Sequence, residues 1–327
     1  MKTSIKNESE SPVLLITFNR AENTRKVFEK IREAKVKKLY VANDAPRIGN
    51  ENDAKNRDEI RKMLNEIDWD CELHSLFHEK NQGCGFGPAN AITWAFEKED
   101  KLIILEDDCV PSLSYFSFCN EMLDKFSDDT RIWIISGRSH QSKSTFFDKQ
   151  DYIFSHYAHT WGWATWKRCW NDFDMRMNDF PDFEKMGGAI NVLSTEEEGV
   201  LLNKSFRRIF NNIEKEITHS WDSQFNYTIL KNGGLGIVPC KNLIQNIGAI
   251  GTHSIGKTKY TEMIAEEMSE IIRHPKFVII NKGYEYLHFN NHIKKIYRKR
   301  SLAERAIKKG FRILNEEIKR ILKNEKN

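Results

Sequence analysis

Residues 102–111 read Leu-Ile-Ile-Leu-Glu-Asp-Asp-Cys-Val-Pro, an apolar run that ends on three consecutive acids. Such a run is typical of a buried parallel strand, whose carboxyl end opens on the crevice where α/β sheets bind ligands. Adjacent carboxylates repel one another unless a cation lies between them. Oxygen ligands suit a hard divalent ion, Mg²⁺ or Mn²⁺, which proteins usually bind through one or two carboxylates together with substrate phosphates. The run therefore indicates a metal and a phosphorylated ligand, with an acidic helix-capping turn as the alternative.

The sequence around this run alternates strand and helix patterns, which favours an α/β fold with a mostly parallel sheet flanked by helices. Earlier strands are predicted at 13–18, 38–43 and 72–77, and the segments between them carry apolar residues at helical spacing. A glycine-rich loop at 81–88 leads into a further helix. Later elements are predicted as a helix at 115–126, a strand at 131–136, a helix at 221–231 and a strand at 235–238.

Composition is that of a folded protein. The 327 residues are 39% hydrophobic and 30% charged, without a long low-complexity tract. The apolar run from Val13 is too short for a signal peptide, and no stretch reaches the roughly 20 apolar residues that span a bilayer. The six cysteines lack metal-binding and disulfide-scaffold spacing, so we expect reduced thiols and a cytoplasmic protein.

Polar groups follow three of the predicted strands, at 17–20 (Thr-Phe-Asn-Arg), 43–47 (Asn-Asp-Ala-Pro-Arg) and 106–108 (Glu-Asp-Asp). An aspartate after a strand can accept hydrogen bonds from a base or ribose, and arginines can meet phosphate charge. Asp44 before Ala-Pro also suits a turn, and Arg20 also suits a helix surface. Their shared position at the carboxyl ends of strands is the stronger argument for a common site.

In the order of these segments the chain resembles the nucleotide-sugar glycosyltransferases of the GT-A fold. The later segments Trp-Gly-Trp-Ala-Thr-Trp (161–166), Ser-Trp-Asp (220–222) and 239–253 are similar to the branch containing N-acetylglucosaminyltransferase I and bacterial surface-polysaccharide transferases. The resemblance covers roughly residues 12–255. It implies a flexible N-terminus at 1–11, and a GT-A domain at 12–290 with a nucleotide-binding half (12–137) and an acceptor-binding half (138–290).

The resemblance also implies roles for individual residues. Asp108 would be a direct ligand of Mn²⁺ or Mg²⁺, and His253 would complete that metal site. Asp222, in the first turn of its helix, would be the general base. The donor-nucleotide site would comprise Thr17, Asn19, Arg20, Asp44, Asn81, Gly83, Asn90, Glu106 and Asp107. The acceptor or sugar site would comprise Trp161, Gly162, Trp163 and Trp221.

Each of these roles has a plainer alternative. Asp222 is also an acid that a helix dipole stabilises, and a lone histidine such as His253 is most often a surface or core residue. Part of the tryptophan cluster is expected in the core. The segment 254–261, with two lysines and little apolar content, is either a lid over the diphosphate or an ordinary loop.

The last segment, 291–327, is predicted to be a basic amphipathic helical tail. From Ile293 to Asn327 the net charge is +9, while the whole chain carries +4. Such a helix suits an anionic membrane surface. A dimerisation helix, and hence a homodimer, is an alternative, whereas a nucleic-acid arm is disfavoured because interleaved aromatic residues are few.

The sequence thus predicts a metal-dependent, inverting hexosyl- or N-acetylhexosaminyltransferase. It would move a sugar from a nucleoside diphosphate, UDP favoured, to a hydroxyl of a surface glycan or lipid-linked acceptor of the lipopolysaccharide, O-antigen or capsule type, at the inner face of the cell membrane. A sugar-1-phosphate nucleotidyltransferase is the alternative enzyme, but that class carries a glycine-rich loop directly after the first strand, where this chain has Asn19-Arg20-Ala21-Glu22. A non-catalytic sugar-nucleotide-binding scaffold is the third hypothesis.

Overall fold

The fold is that of a computed structural model, which describes residues 9–141, 145–147, 149–214, 220–248 and 262–297. The described residues form an α/β fold around an eight-stranded sheet. The strands are β1 Val13–Thr17, β2 Lys38–Asn43, β3 Glu72–Phe77, β4 Lys101–Glu106, β5 Cys109–Pro111, β6 Ile132–Ser136, β7 Tyr152–Ser155, β8 Trp163–Trp166, β9 Leu235–Pro239 and β10 Ile244–Asn246. The predicted bounds of β2 and β3 are confirmed.

The sheet has the order β3-β2-β1-β4-β8-β6-β9-β7. Strands β8 and β7 run antiparallel to their neighbours, and the other six share one direction. Strand β1 is buried along its whole length, which its continuous apolar sequence requires at the centre of a sheet covered on both faces. The carboxyl ends of β1, β2 and β4 therefore lie side by side at one edge. The predicted α/β class with a mostly parallel sheet is confirmed.

Helices flank this sheet. They are α1 Ala21–Glu33, α2 Glu51–Met63, α3 Gly83–Phe96, α4 Leu113–Lys125, α5 Lys167–Trp170, α6 Phe180–Lys185, α7 Glu196–Glu214, α8 Asp222–Lys231, α9 Lys282–His288 and α10 Lys294–Tyr297. In α1 the buried residues Val27, Phe28 and Ile31 recur at helical spacing and pack into the main core. Apolar burial of this kind is what attaches an amphipathic helix to a sheet.

Two short strands, β5 directly after the acidic triplet and β10 late in the chain, were not predicted. Strand β5 pairs antiparallel with β10, so that Cys109 lies opposite Asn246 and Pro111 lies opposite Ile244. The amide of Ile247 donates to the carbonyl of Asp108 at 2.8 Å. This pairing brings a segment from late in the chain against the end of β4.

The described residues divide after His288, with those up to His288 forming one compact unit and Phe289 beginning another. The division of the first unit into a nucleotide-binding and an acceptor-binding half stays a prediction, as does the flexibility of 1–11. Residues 298–327, which hold most of the predicted basic tail, lie outside the described residues. Among the residues that are described, no helix has the length and apolarity to cross a bilayer.

Candidate active site

A cavity of about 290 Å³ opens where β1, β2 and β4 end. Its walls come from those strand ends and from the start of α3. Seven of the nine predicted donor-site residues line it, namely Thr17, Arg20, Asp44, Asn81, Gly83, Glu106 and Asp107. Strand-end residues scattered along the sequence thus share one site, as their position at one edge of a parallel sheet requires.

An arginine lies among the acids at the end of β4. The guanidinium of Arg20 donates from Nη2 to Asp107 and from Nη1 to Asp108 Oδ2, the latter at 2.8 Å. Burial disfavours the charge of Arg20, but the two carboxylates outweigh it and raise the pKa of the guanidinium. Arg20 therefore balances part of the negative charge, and the acidic triplet retains an excess.

The pKa of Glu106 is raised further than that of Asp107. Burial, followed by the neighbouring charges of Asp108, Asp107 and Asp222, raises the pKa of the Glu106 carboxyl to about 8. Burial also raises the pKa of Asp107 to about 6, with Arg20 opposing the shift and Asp108 adding to it. Carboxyl groups with raised pKa values are typical of sites built to receive a cation or to move protons.

Replacing Glu106 with glutamine is expected to stabilise the metal-free protein at pH 8. Between pH 4.5 and about 8 the unfolded chain has released a proton that native Glu106 still holds, so the free energy of unfolding falls as pH rises through that window. Glutamine removes this fall. The free energy of unfolding at pH 8 is expected to rise by at least about 1 kcal/mol. This lower bound is set below the free energy of a single pKa unit, about 1.4 kcal/mol.

Thermal unfolding in EDTA at pH 5 and pH 8 measures this effect. Glu97→Gln serves as the matched control, because Glu97 is an exposed glutamate directly after α3. This variant should have the melting temperature of the wild type at both pH values. A variant Glu106→Gln whose stability falls with pH as steeply as that of the wild type contradicts the electrostatic account.

Asp222, from the second part of the chain, lies within electrostatic range of this site. It is the first residue of α8 and is half-buried. Its charge contributes to raising the pKa of Glu106 and, after burial and together with Glu106 and Asp44, that of the Cys84 thiol in the cavity wall. The charge of the predicted general base therefore acts on Glu106, one of the predicted donor-site acids.

Asp44 lines the cavity, and protein donors occupy both of its oxygens. Oδ1 accepts from the amide of Ala45 at 2.8 Å, and Oδ2 accepts from the amide of Gly83 at 2.9 Å. The amide of Gln82 and the side chain of Asn81 also donate to this carboxylate. Gly83 has φ +74°, a backbone conformation that favours glycine. Asp44 thus anchors the loop before α3, and a direct contact to a nucleobase would require one of these donors to move.

Two predicted donor-site residues do not line the cavity. Asn19 donates to Asp53 Oδ1 at 2.7 Å, and Asp53 also accepts from Arg47 Nε at 2.6 Å. Asn90 is exposed on α3 and donates to the side chain of Gln82. Both asparagines therefore support the loops that shape the cavity.

The predicted contact of Trp163 and Trp221 with an acceptor sugar disagrees with their burial. Trp163 and Trp221 are 0% and 3% exposed, and their rings stack on each other with centroids 5.4 Å apart. Trp163 belongs to β8, which pairs with β4 and β6, so neither ring can stack on an acceptor sugar. Gly162 is buried as well, and a Cβ there would lie 2.3 Å from Ile244. Trp161 alone of the four predicted acceptor residues is half-buried, with the guanidinium of Arg138 4.4 Å from its ring centroid.

Residues that the sequence analysis missed complete the site. Asn246 donates to Asp108 Oδ1 at 3.3 Å, and Asp108 is 9% exposed. A Cβ at Gly248 would lie 2.1 Å from Asp108 Oδ2, so only glycine allows this close approach. The late segment 239–253 was noted for its resemblance, but no spacing in the sequence pairs it with Asp108. His253 and the predicted lid at 254–261 lie outside the described residues.

The acidic triplet fits a hard divalent cation. Two of the three carboxylates contact the guanidinium of Arg20, and burial, with the charges of neighbouring acids adding to it, raises the pKa of Glu106 and of Asp107. Oxygen ligands of this kind suit Mg²⁺ or Mn²⁺. Asp108, Asp107 and Glu106 are the residues that would hold the ion.

Comparisons with known proteins identify no family for this chain. No protein-family pattern matches it, and no curated protein matches its sequence. One similar solved structure is a UDP-glucose pyrophosphorylase complexed with UDP-glucose, with 8% identity, a TM-score of 0.29, and coverage of 50% of this chain and 78% of that one. Another is HddC from Yersinia pseudotuberculosis, with 12% identity, a TM-score of 0.32, and coverage of 53% and 86% respectively. Likeness this distant carries no argument about activity, so the functional argument depends on the site itself.

Proposed function

We propose that this protein is a metal-dependent, inverting glycosyltransferase of the GT-A type that uses a nucleoside-diphosphate sugar, UDP favoured, as donor. The observation that carries the proposal is that the charge of Asp222 acts on Glu106, the first acid of a triplet that ends and follows β4 beside a cavity formed by strand ends. Glycosyl transfer to a hydroxyl needs a carboxylate that takes the acceptor proton and a cation that neutralises the departing diphosphate. This site offers both kinds of group.

The cavity suits the nucleoside part of the donor. Apolar walls from Ile16 and Ala42 lie beside polar groups from Thr17, Asn81 and His78. Pockets of this kind bind a flat, partly apolar ligand and orient it through a few polar contacts. Asp44 and the acids Glu106 and Asp107 line the same cavity, so a nucleoside bound there would have its diphosphate near these acids.

Transfer with inversion is a single displacement. The acceptor hydroxyl oxygen forms a bond to the anomeric carbon as the bond from that carbon to the diphosphate oxygen breaks, and the bonding pair leaves with the diphosphate. Asp222 accepts the proton of the acceptor hydroxyl. A bound Mg²⁺ or Mn²⁺ supplies charge stabilisation to the leaving diphosphate. Arg20, which already pairs with Asp107 and Asp108, keeps these carboxylates close together.

The acceptor proposed here is a surface glycan or lipid-linked sugar. Of the predicted acceptor tryptophans, Trp161 is the one whose ring is partly exposed and would contact it, since Trp163 and Trp221 are buried. Docking of the basic tail on an anionic inner membrane surface would bring a lipid-linked acceptor to the enzyme, and pairing of two chains through the tail is the rival role.

The decisive test separates the three functional hypotheses by their products. Purified protein with Mn²⁺ is incubated in one series with UDP-, GDP-, dTDP- and CDP-sugars, and in another with nucleoside triphosphates plus sugar 1-phosphates. A glycosyltransferase releases a nucleoside diphosphate from one donor, slowly to water and faster with acceptor. Release of pyrophosphate in the second series would instead identify a nucleotidyltransferase. Nucleotide binding without turnover in either series would identify the scaffold.

A further inference from the structure

Three histidines from separate parts of the fold converge outside the donor cavity. His140 follows β6, His159 lies between β7 and β8, and His288 is the last residue of α9. One ring nitrogen from each can be chosen so that all three lie within 4.8 Å of one another. None of the three lines the cavity that holds the acidic triplet.

The ring positions support a shared ligand. The centroids of His140 and His159 lie 4.0 Å apart, those of His159 and His288 lie 5.1 Å apart, and those of His140 and His288 lie 5.7 Å apart. Protonated rings this close would repel one another. Neutral imidazoles instead present lone pairs that a single cation can receive, which makes the cluster a candidate metal centre.

The surrounding structure holds two of these ligands in place. His288 is 2% exposed and stacks on the ring of Tyr157, with centroids 4.9 Å apart. The backbone of His159 is fixed on both sides, because Ser136 Oγ donates to its carbonyl at 2.9 Å and accepts from its amide at 3.2 Å. Ligands that are positioned before the metal arrives reduce the entropy lost on binding.

We propose that His140, His159 and His288 bind one transition-metal ion of the Zn²⁺ class. Imidazole ligands suit Zn²⁺, Co²⁺ or Ni²⁺, whereas the carboxylates at the end of β4 suit Mg²⁺ or Mn²⁺. Three nitrogens at 2.0–2.1 Å from a tetrahedral zinc lie about 3.3 Å apart, so the three rings, whose ligand atoms now lie within 4.8 Å of one another, would draw closer on binding. Three protein ligands leave a tetrahedral ion one position for water or another small ligand.

The site would tie the end of α9 to the loops that follow β6 and β7. This inference is independent of the proposed glycosyl transfer, since it uses different residues and a different class of metal. The two therefore fail or succeed separately.

Cobalt binding tests the site directly. Tag-free, full-length protein stripped with a chelator is titrated with Co²⁺ while visible absorption is recorded. A four- or five-coordinate, nitrogen-rich site gives strong ligand-field bands, whereas an oxygen-ligated octahedral ion at the acidic triplet absorbs only weakly. We expect strong bands that saturate at one ion per chain and that Zn²⁺ abolishes.

The half-buried ligands allow variants that keep the fold. His140→Gln and His159→Gln should each weaken Co²⁺ binding by more than about 100-fold, the upper range for loss of a residue that merely supports a ligand. His274→Gln is the matched control. The Nδ1 atom of His274 forms a hydrogen bond of 3.0 Å with the hydroxyl of Tyr152, and His274 is not one of the three clustered histidines. Absence of strong bands in the wild type overturns the proposal, and so does wild-type binding by both ligand variants. Loss of binding by the control to the same degree also overturns it.

Discussion

Asp222→Asn is expected to lower kcat for glycosyl transfer by about 10²- to 10⁴-fold while leaving the Kd for the donor nearly unchanged. Loss of a positioned general base has an effect of this size on the rate of proton transfer in the transition state. Asparagine keeps the size of the side chain but cannot accept the hydroxyl proton. Asp222 does not line the nucleotide cavity, so donor affinity should survive.

Steady-state kinetics with the donor identified by product release measure kcat, and calorimetry with the nucleoside diphosphate measures Kd. Asp182→Asn is the matched control, because Asp182 also lies in the first turn of a helix, α6, and is exposed. It should keep wild-type kinetics. A variant Asp222→Asn with kcat within about threefold of the wild type would remove Asp222 from the mechanism.

Asp108→Asn is expected to abolish metal-dependent binding of the nucleoside diphosphate, with an affinity loss of more than about 100-fold in the presence of Mn²⁺. The change removes the charge of a carboxylate placed to hold the ion. The fold should persist, because Arg20 retains its pairing with Asp107 and because the amide of Ile247 still donates to the backbone carbonyl of residue 108.

Measuring the affinity for the nucleoside diphosphate once with Mn²⁺ and once with EDTA isolates the part of that affinity that depends on the metal. The wild type should lose affinity when EDTA replaces Mn²⁺, and Asp108→Asn should behave alike in both. Asp128→Asn changes an exposed aspartate in the turn after α4, and this variant should match the wild type throughout. If Asp108→Asn still gains affinity from Mn²⁺ as the wild type does, the ion binds elsewhere.

Local sequence was sufficient for the nucleotide-binding part of the fold. Strands β1, β2 and β4 are continuous apolar runs, and a parallel sheet buries such runs on both faces. Because the polar residues Thr17, Asp44 and Glu106 directly follow or end these strands, their meeting at one edge followed from the topology alone. The glycine-rich segment 81–88 was predicted to be a loop, but α3 already begins at Gly83, so the loop prediction is wrong for most of that segment.

Long-range pairing accounts for what the sequence analysis missed. Only part of the tryptophan cluster was expected in the core, and the insertion of β8 between β4 and β6 buries Trp163. The anchoring of Asp44 depends on backbone amides at 82 and 83, which no local pattern connects to it. The three converging histidines likewise share no spacing, since each belongs to a different segment of the fold.

The central claim is that the cavity and the acidic triplet bind a nucleoside diphosphate together with a divalent cation. Thermal unfolding of the wild type with Mn²⁺, Mg²⁺ or EDTA, each combined with UDP, GDP, dTDP or CDP, tests it most directly. At about 100 times its dissociation constant a ligand adds about 2.7 kcal/mol to native-state stability. We predict a rise in melting temperature with one nucleotide that requires the metal and is absent in Asp108→Asn. No rise with any combination, or an equal rise in EDTA, would contradict the claim.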